Sequence, residues 1–332
     1  MKAIEIRETG GPAVLQLTER PRPELSGPDD ILVRLMAAGV NPVDTKIRAN
    51  GALLPAGFPA VLGCDGAGVV EAVGADVTRF KSGDEVWFCH GGLGGPVGNY
   101  AEYICLDSHL AQPKPHALTF AEAAAAPLVL LTAWEALSDR AGLAAGQTVL
   151  IHAGAGGVGH VAIQLARIAG ARVCTTVSGP EKAEFAHSLG AEYCINYRDE
   201  DLVDAVMHWT GGRGVDVALD TVGAACFRQS IPAMAPYGNL VTILDPGPEL
   251  DLKEARMRNL RLSLELMLTP QLRNLPRALA HQGEILRRCG KLIDGGELKI
   301  HVSQTFPLAE AAAAHTLIGA GHVTGKLALT MD

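Results

Sequence analysis

The chain has 332 residues, 48% of them hydrophobic, which is enough to bury a large core and by length suggests about two domains. Its net charge is -8 and no cluster of lysine or arginine stands out, which argues against a nucleic-acid-binding surface. The sequence shows neither a signal peptide nor a run of about 20 apolar residues that could span a membrane, so we expect a cytoplasmic enzyme.

Residues 1 to about 120 combine short strand patterns with glycine-rich turns, which is typical of a β-rich domain. Strands are predicted over residues 31–37 and 63–74, where the glycines of the second suit bulges and close backbone packing. A turn at Gly83-Asp84 is predicted to enter another strand, and residues 100–106 continue the pattern.

The pattern changes near residue 120. Thr119, with Glu122 three residues later, forms a capping-box pattern that predicts a helix through the following alanines. A second helix is predicted over residues 131–141, ended by Gly142. Strands then alternate with helices, which indicates a parallel sheet covered on both faces. The strands are predicted at residues 148–153, 172–177, 193–196, 215–220 and 239–244, and the helices at 157–169, 180–189, 201–210 and 227–234.

The C-terminal part departs from this alternation. Residues 279–293 predict a helix, and β-like segments follow at 299–302 and 325–330. These last segments have no obvious place in the parallel sheet, so we expect them to return and complete the N-terminal domain.

The segment after the first strand of the alternation matches the dinucleotide-binding pattern Gly154-x-Gly156-x-x-Gly159. Gly154 is expected to allow a tight turn, Gly156 to let the backbone approach a pyrophosphate, and Gly159 to let helix and strand pack closely. The helix that follows offers N–H donors and a positive dipole to an anion. The alternative is a glycine-rich turn without a ligand, which the flanking strand and helix disfavour. The predicted cofactor loop comprises Gly154, Ala155, Gly156, Gly157, Val158 and Gly159.

The end of the second strand of the alternation bears on the choice of cofactor. NAD sites usually place a carboxylate there on the ribose 2′-hydroxyl, whereas residues 175–180 contain none. Ser178 can donate a hydrogen bond to a 2′-phosphate, and Lys182 can supply positive charge. These residues favour NADPH over NADH; the alternative for Lys182 is an ordinary solvated position on the helix.

Taken together, these motifs resemble the medium-chain dehydrogenase/reductase superfamily, in its zinc-free quinone oxidoreductase branch, over nearly the whole chain. The matching segments are residues 38–48, 63–70, 83–86, 152–159, 195–198, 215–223 and 325–326.

The resemblance implies an α/β protein with two domains. A GroES-like β-rich catalytic domain would comprise residues 1–122 and 268–332, and a doubly wound Rossmann domain binding NADPH would comprise residues 123–267. It also implies an active site in the cleft between the domains and, commonly, a homodimer.

The resemblance further implies roles for single residues. In the quinone oxidoreductase-like members, the residues matching Ser178, Lys182 and Tyr197 gather around the 2′-phosphate, and those matching Asn41 and Thr132 lie near the nicotinamide end. Lys326, in the matching Gly325-Lys326 pair, is included among the expected cofactor-binding residues.

The same comparison makes a metal site unexpected. Zinc-dependent members carry cysteine at the position of Asn41 and Gly-His-Glu where this chain has Gly63-Cys64-Asp65. Cys64 and Asp65 could ligate zinc in principle, but catalytic zinc needs about three protein ligands and the preceding cysteine is replaced by Asn41. Cys89-His90 is a conceivable metal fragment, but no third ligand is evident and an ordinary loop pair is the alternative. The seven cysteines are dispersed, so neither a disulfide framework nor a structural zinc lobe is expected.

Without zinc as a Lewis acid, hydride transfer to an acceptor that is already electrophilic requires the least assistance. Quinones and conjugated enones or alkenals fit, with donors stabilising the charge that develops on the carbonyl oxygen. The candidates for this assistance are Asn41, Asp44 and Lys46, where Lys46 either donates to the substrate oxygen or pairs with Asp44. Tyr100 and His90 either line the cleft or belong to surface loops.

Two alternatives to an NADPH-dependent quinone or enone reductase stay open at this point. One is a zinc-type alcohol dehydrogenase. The other is a protein that binds NADPH without catalysing a reaction, for which the acidic charge balance disfavours RNA as a partner.

Overall fold

The structure is a computed structural model that describes residues 1–53, 57–95 and 97–331. The chain divides into two compact units, Met1–Leu128 with Leu268–Asp332, and Val129–Met267. The first unit is rich in β-structure and the second has a parallel sheet with interleaved helices, so the predicted α/β class is confirmed. Among the described helices, none combines the length and apolar character required to cross a bilayer.

The strands of the first unit are β1 (Lys2–Ile6), β2 (Gln16–Glu19), β3 (Asp30–Val40), β4 (Ala60–Val61), β5 (Asp65–Val73), β6 (Glu85–Cys89), β7 (Tyr103–Asp107), β8 (Gln112–Pro113), β15 (Val302–Pro307) and β16 (Lys326–Thr330). They form a three-stranded sheet in the order β2-β1-β4 and a larger sheet in the order β15-β16-β3-β5-β6-β8, with β7 also paired to β3.

The C-terminal tail returns to the first unit, as predicted from its β-like pattern. β16 pairs antiparallel with β3, so that Leu327 lies opposite Val40. On the other side of β3, the glycines of β5 permit close pairing, since a Cβ at Gly68 would lie 2.2 Å from the carbonyl oxygen of Arg34. The glycine-rich pattern of this strand therefore serves the close backbone packing that the sequence indicated.

The helices of the first unit are α1 (Pro42–Asn50), α2 (Phe120–Ala125), α9 (Thr269–Leu272), α10 (Pro276–Asp294) and α11 (Ala311–Gly319). The capping box at α2 is confirmed, because the Thr119 side chain accepts from the Glu122 N–H and the Glu122 carboxylate accepts from the Thr119 N–H. The alanines of α2 pack on β3 so closely that a Cβ at Gly39 would lie 2.4 Å from the carbonyl oxygen of Ala124. α2 thus belongs wholly to the first unit, although the domain boundary expected at residue 122 divides it.

The second unit has a six-stranded sheet whose pairings are all parallel. Its elements are α3 (Pro127–Trp134, whose first two residues fall in the first unit), β9 (Thr148–Ile151), α4 (Gly157–Ile168), β10 (Arg172–Val177), α5 (Pro180–Leu189), β11 (Tyr193–Asn196), α6 (Leu202–Thr210), β12 (Val215–Asp220), α7 (Ala224–Ser230), β13 (Met234–Thr242), α8 (Lys253–Met257) and β14 (Arg261–Leu264).

The strand order of this sheet, β11-β10-β9-β12-β13-β14, is that of a doubly wound nucleotide-binding fold. The chain leaves β9 in one direction to form β10 and β11, and returns on the other side of β9 to form β12. Ligands of such folds bind at the carboxyl ends of the strands where the order reverses. The glycine loop that follows β9 lies at this position.

Two predicted helices of the second unit differ in the structure. The helix predicted over residues 227–234 is instead α7 followed by a 3-10 turn at residues 231–233, because Pro232 cannot continue the N–H bonding of an α-helix. The helix predicted over residues 131–141 changes after Trp134 to a wider π turn, in which the N–H of Ala141 reaches back to the carbonyl of Ala136.

The close packing of α2 on β3 leads to a stability prediction. We expect Gly39→Ala to lower the free energy of unfolding by about 1–3 kcal/mol, because the new methyl group overlaps the Ala124 carbonyl. Gly319→Ala is the matched control, since nothing lies within 4 Å of a Cβ there. Alanine should stabilise that helical position by up to about 1 kcal/mol. Urea unfolding of both variants checks this, and equal stabilities would contradict it.

Candidate functional site

The glycine loop of the second unit turns over residues 153–156, where the Gly156 N–H donates to the Ala153 carbonyl oxygen at 2.8 Å. Gly154 is the first of the two central residues of this turn, while the left-handed φ of 51° falls on the preceding Ala153. Glycine is required at 154 for packing, because a Cβ there would lie 2.1 Å from the Thr175 hydroxyl oxygen on β10. The loop passes over β10 at too short a distance for any side chain.

The other two glycines of the pattern lie at the start of α4. A Cβ at Gly159 would lie 2.2 Å from the Ala153 carbonyl oxygen, so this glycine lets the helix approach the loop that joins it to β9. Gly156 precedes the helix, and a Cβ there would come within 4 Å only of Ala153, at 3.1 Å or more. Among the described residues no side chain caps α4, so its first N–H groups fit an anion such as a pyrophosphate.

Ser178, Lys182 and Tyr197 lie near one another at the carboxyl edge of the sheet. Val177 and Asn196 are paired across β10 and β11, so Ser178 and Tyr197 follow directly on neighbouring strands. Tyr197 is 56% exposed, and Lys182 occupies the first turn of α5. Within the described part of the chain, no ion pair occupies Lys182, which fits its predicted use by a phosphate. Thr132 is buried on α3 in the same unit.

In the first unit, Asn41 joins a buried lysine to a buried aspartate. The Lys326 ammonium donates to Asn41 Oδ1 and to the Val40 carbonyl oxygen, the latter at 3.0 Å. Asn41 Nδ2 donates to Asp65 Oδ2 at 2.9 Å. Because the lysine can only donate and the ionised aspartate can only accept, the two groups fix the orientation of the Asn41 amide.

Lys326 is 3% exposed, and burial lowers the pKa of its ammonium while the nearby Asp65 and Asp44 carboxylates oppose that shift. Burial also raises the pKa of Asp65 to about 6. The lysine, the amide and the carboxylate are thus held together where water cannot solvate their charges. This is where the structure places Lys326, which the sequence assigned only to cofactor binding.

Asp44 lies beside this group and accepts three hydrogen bonds. Its Oδ2 accepts from the Asn41 N–H at 2.8 Å and from the Tyr100 hydroxyl at 3.1 Å, and its Oδ1 accepts from the Cys64 thiol at 3.7 Å. Burial nevertheless raises the pKa of Asp44 to about 7, with the nearby Asp65 charge adding to the shift. The carboxyl therefore changes its charge near neutral pH.

A chain of hydrogen bonds continues from Asp44 through α11. Arg48 approaches His315 Nδ1 at 3.4 Å, so this nitrogen must accept, and His315 Nε2 donates to the Tyr100 hydroxyl at 3.0 Å. Tyr100 then donates to Asp44. Burial lowers the pKa of His315 to about 3, which keeps the ring neutral and leaves its Nδ1 able to accept.

The two thiols of this cluster lie against its carboxyl groups. The Cys64 thiol donates to Asp44 Oδ1 at 3.7 Å, and burial raises the pKa of Cys64 and of Cys89 well above the usual range for a thiol. Cys89 bonds to the Asp65 carboxylate, and the Lys326 ammonium already supplies positive charge. Within the described ranges, no group of three or more His, Cys, Asp or Glu side chains is arranged to hold a metal.

Several expectations for single residues in this unit need correction. Lys46 is exposed on α1 while Asp44 is buried, so the ion pair proposed between them is not formed. Tyr100 is fully buried and belongs to the hydrogen-bonded chain, so it is not part of a surface loop. His90 is half-buried after β6; its Nδ1 has no hydrogen-bond partner among the described residues, and burial lowers its pKa.

The sequence reasoning missed His315 and Arg48 altogether. Tyr100 and His315 are 215 residues apart in the chain, and no local motif connects them. Asp65 and Cys64 were considered only as metal ligands, although their position in the pattern around residues 63–70 was noticed. Burial of charged groups, which decides their roles here, has no sequence signal of its own.

Two families of known proteins match the chain, and together they cover parts of both units. Residues 27–116 match the family described as alcohol dehydrogenase GroES-like domain, and residues 189–329 match the family described as zinc-binding dehydrogenase. The first match includes β3 to β8 in full, which confirms the predicted GroES-like character of this part.

Three proteins are similar to the chain over nearly its full length. A quinone oxidoreductase of Pseudomonas aeruginosa is 36% identical over 99% of both chains. A 2-haloacrylate reductase of a Burkholderia species is 34% identical over 98% of both. The crystal structure of the quinone oxidoreductase of Escherichia coli, complexed with NADPH, is 31% identical, covers 99% of this chain and 100% of its own, and superposes with a TM-score of 0.88.

The raised pKa of Asp44 gives a pH dependence of stability. Between pH 4 and 7 the unfolded chain holds this carboxyl ionised while the folded chain holds it protonated, so its contribution to stability falls as the pH rises through that range. We expect Asp44→Asn to remove this effect. The unfolding free energy of the native protein minus that of Asp44→Asn should therefore fall by about 4 kcal/mol from pH 4 to pH 8.

Urea unfolding at several pH values measures this difference, with the exposed Asp29→Asn as control. The lowered pKa values of the buried histidines act in the opposite direction, but they are present in both proteins. Parallel pH profiles for Asp44→Asn and the native protein would show that Asp44 does not titrate as described.

Proposed function

The chain belongs to the medium-chain dehydrogenase/reductase superfamily, and on this premise we propose that it is a zinc-independent reductase that uses NADPH to reduce quinones or conjugated enones and alkenals. The observation that carries the proposal is the buried contact between the Lys326 ammonium and the Asn41 amide. Zinc-dependent members of the family carry a ligand at the position of Asn41. A divalent cation bound there would lie next to the lysine and be repelled by it.

The nicotinamide cofactor is assigned to the glycine loop and the first turn of α4. The open side of Gly156 and the uncapped N–H groups of α4 fit a pyrophosphate. The 2′-phosphate, which NADPH has and NADH lacks, is assigned to Ser178, Lys182 and Tyr197. These residues therefore favour NADPH as the cofactor. When bound, the nicotinamide supplies a hydride to the β-carbon or ring carbon of the acceptor.

The acceptor class follows from the charge that this addition creates. A conjugated acceptor spreads the negative charge onto its carbonyl oxygen, so it needs less assistance than an isolated carbonyl. Support comes from relatives whose names describe reduction of a quinone and of a 2-haloacrylate, which both contain a polarised conjugated double bond. The protein's part is to orient the acceptor and to place a donor near its oxygen.

Turnover with NADPH on a panel of quinones, enones and alkenals, and with NADP⁺ on simple alcohols, tests the proposal as a whole. We expect activity on the conjugated acceptors and none on the alcohols, with less than stoichiometric zinc in the purified protein by metal analysis. Stoichiometric zinc with alcohol oxidation would identify the alcohol dehydrogenase alternative. Saturable NADPH binding without turnover on any acceptor would identify the alternative of a non-enzymatic binding protein.

The preference for NADPH is expected to depend on Lys182. Lys182→Glu should raise the dissociation constant for NADPH by about tenfold or more, because it replaces attraction to the 2′-phosphate by repulsion. Binding of NADH, which lacks this phosphate, should be unaffected. Fluorescence titration with both cofactors measures the effect, and an equal loss for NADPH and NADH would refute the assignment. Glu184→Lys on the same helix, which is exposed, controls for a general change of surface charge.

Lys46 is the candidate donor to the acceptor oxygen, since it is exposed and its partner is not Asp44. We expect Lys46→Ala to lower kcat/KM for quinones and enones by about tenfold, with cofactor binding unchanged and partial recovery in Lys46→Arg. Lys81→Ala, at another exposed lysine of the same unit, is the control. Unchanged turnover of Lys46→Ala on every accepted substrate would end its candidacy.

A further inference from the structure

The strained residue of the glycine loop, Ala153, is bonded to the hydroxyl group of Thr176. Ala153 has a φ of 51°, which is unfavourable for any residue with a Cβ. Its N–H donates to the Thr176 hydroxyl oxygen at 2.9 Å, and the next N–H, of Gly154, donates to the Thr176 carbonyl at 3.1 Å. Thr176, near the end of β10, thus receives both N–H groups of the turn.

The Thr176 hydroxyl is oriented in turn by His152. The hydroxyl oxygen lies 3.4 Å from His152 Nδ1, and its proton can point to the ring while the oxygen accepts from the Ala153 N–H. The ring is 2% exposed, and burial lowers its pKa to about 4, so it stays neutral and can accept at Nδ1.

The other nitrogen of His152 is anchored to α7. His152 Nε2 lies 2.8 Å from the Ser230 hydroxyl, whose own proton goes to the Cys226 carbonyl oxygen at 2.7 Å. The Ser230 oxygen must therefore accept from Nε2–H, which agrees with a proton-free Nδ1 on the other side of the ring. Ser230 is fully buried, so no water competes for this bond.

We propose that Thr176 and His152 are positioning residues for the dinucleotide: the directed chain from Ala153 through Thr176, His152 and Ser230 to α7 holds the glycine loop in the conformation that receives the pyrophosphate. This role rests on the proposed binding of NADPH at that loop. It concerns buried side chains that the glycine pattern does not include.

The physical reason is preorganisation. A loop that has to adopt a left-handed Ala153 only when the ligand arrives loses part of its binding free energy to that rearrangement. A loop that Thr176 already holds in this conformation does not lose that part of the binding free energy. Loss of the Thr176 hydroxyl also leaves the Ala153 N–H without its acceptor, which favours other loop conformations.

The test is NADPH binding and steady-state kinetics of Thr176→Val, which keeps the shape of the side chain and removes the hydroxyl. We expect the dissociation constant and KM for NADPH to rise about tenfold, while kcat at saturating NADPH stays within about threefold, because the array acts on the free loop. Thr176→Ser restores the hydroxyl and should recover most of the affinity.

Thr210→Val is the matched control. The Thr210 hydroxyl also accepts from a backbone N–H, that of Gly214, at 2.9 Å, but Thr210 is the last residue of α6, away from the glycine loop. This variant should bind NADPH as the native protein does. Ser230→Ala removes the anchor of His152 from a different element and should raise the dissociation constant in the same direction, so the test does not depend on the folding of Thr176→Val alone.

The outcomes separate this role from the proposed function. Native protein that binds neither NADPH nor NADH would overturn the proposed function, and this role with it. Native protein that binds NADPH while Thr176→Val and Ser230→Ala bind it equally well would overturn only the positioning role. An equal loss of affinity in Thr210→Val, or a fall in kcat without a rise in KM, would also overturn it.

Discussion

The positive charge of Lys326 is the constraint around which the centre of the first unit is arranged. An ammonium group without water must have oxygen atoms in contact and negative charge nearby. The Asn41 oxygen and the Val40 carbonyl supply the contacts, and Asp65 and Asp44 supply the charge. Because Lys326 begins β16, the same contact ties the C-terminal tail to the end of β3.

A consequence of that constraint is that two carboxylates share one buried lysine. One ammonium cannot balance the negative charge of both carboxylates. Burial therefore raises the pKa of Asp44 to about 7 and that of Asp65 to about 6. The hydrogen bonds from Tyr100 and from the Asn41 backbone limit the shift at Asp44 but do not cancel it. The cluster therefore combines a fixed cation with a carboxyl that titrates near neutral pH.

Buried neutral histidines perform the same task in both units. His315 accepts at Nδ1 from Arg48 and donates at Nε2 to Tyr100, and His152 accepts at Nδ1 from Thr176 and donates at Nε2 to Ser230. In each case burial keeps the ring uncharged, so that one nitrogen can accept and the other donate. A protonated ring would donate from both nitrogens and reverse one bond of each chain. Each histidine thus links a helical residue, Arg48 or Ser230, to a hydroxyl group, that of Tyr100 or Thr176, and orients that hydroxyl.

Local sequence determined the parts of this protein whose physical cause spans a few residues. The capping box at Thr119, the alternation of strands and helices after residue 148, and the close approach at Gly159 were all predictable, because backbone hydrogen bonding and steric fit act over such short stretches. The tertiary structure decided what depends on burial and on contacts between distant segments. Asn41 meets Lys326 from 285 residues away, and the left-handed Ala153 of the glycine loop donates its N–H to the Thr176 hydroxyl on β10. The partner and the pKa of a buried group follow from the side chains that surround it, and only the folded chain brings those side chains together.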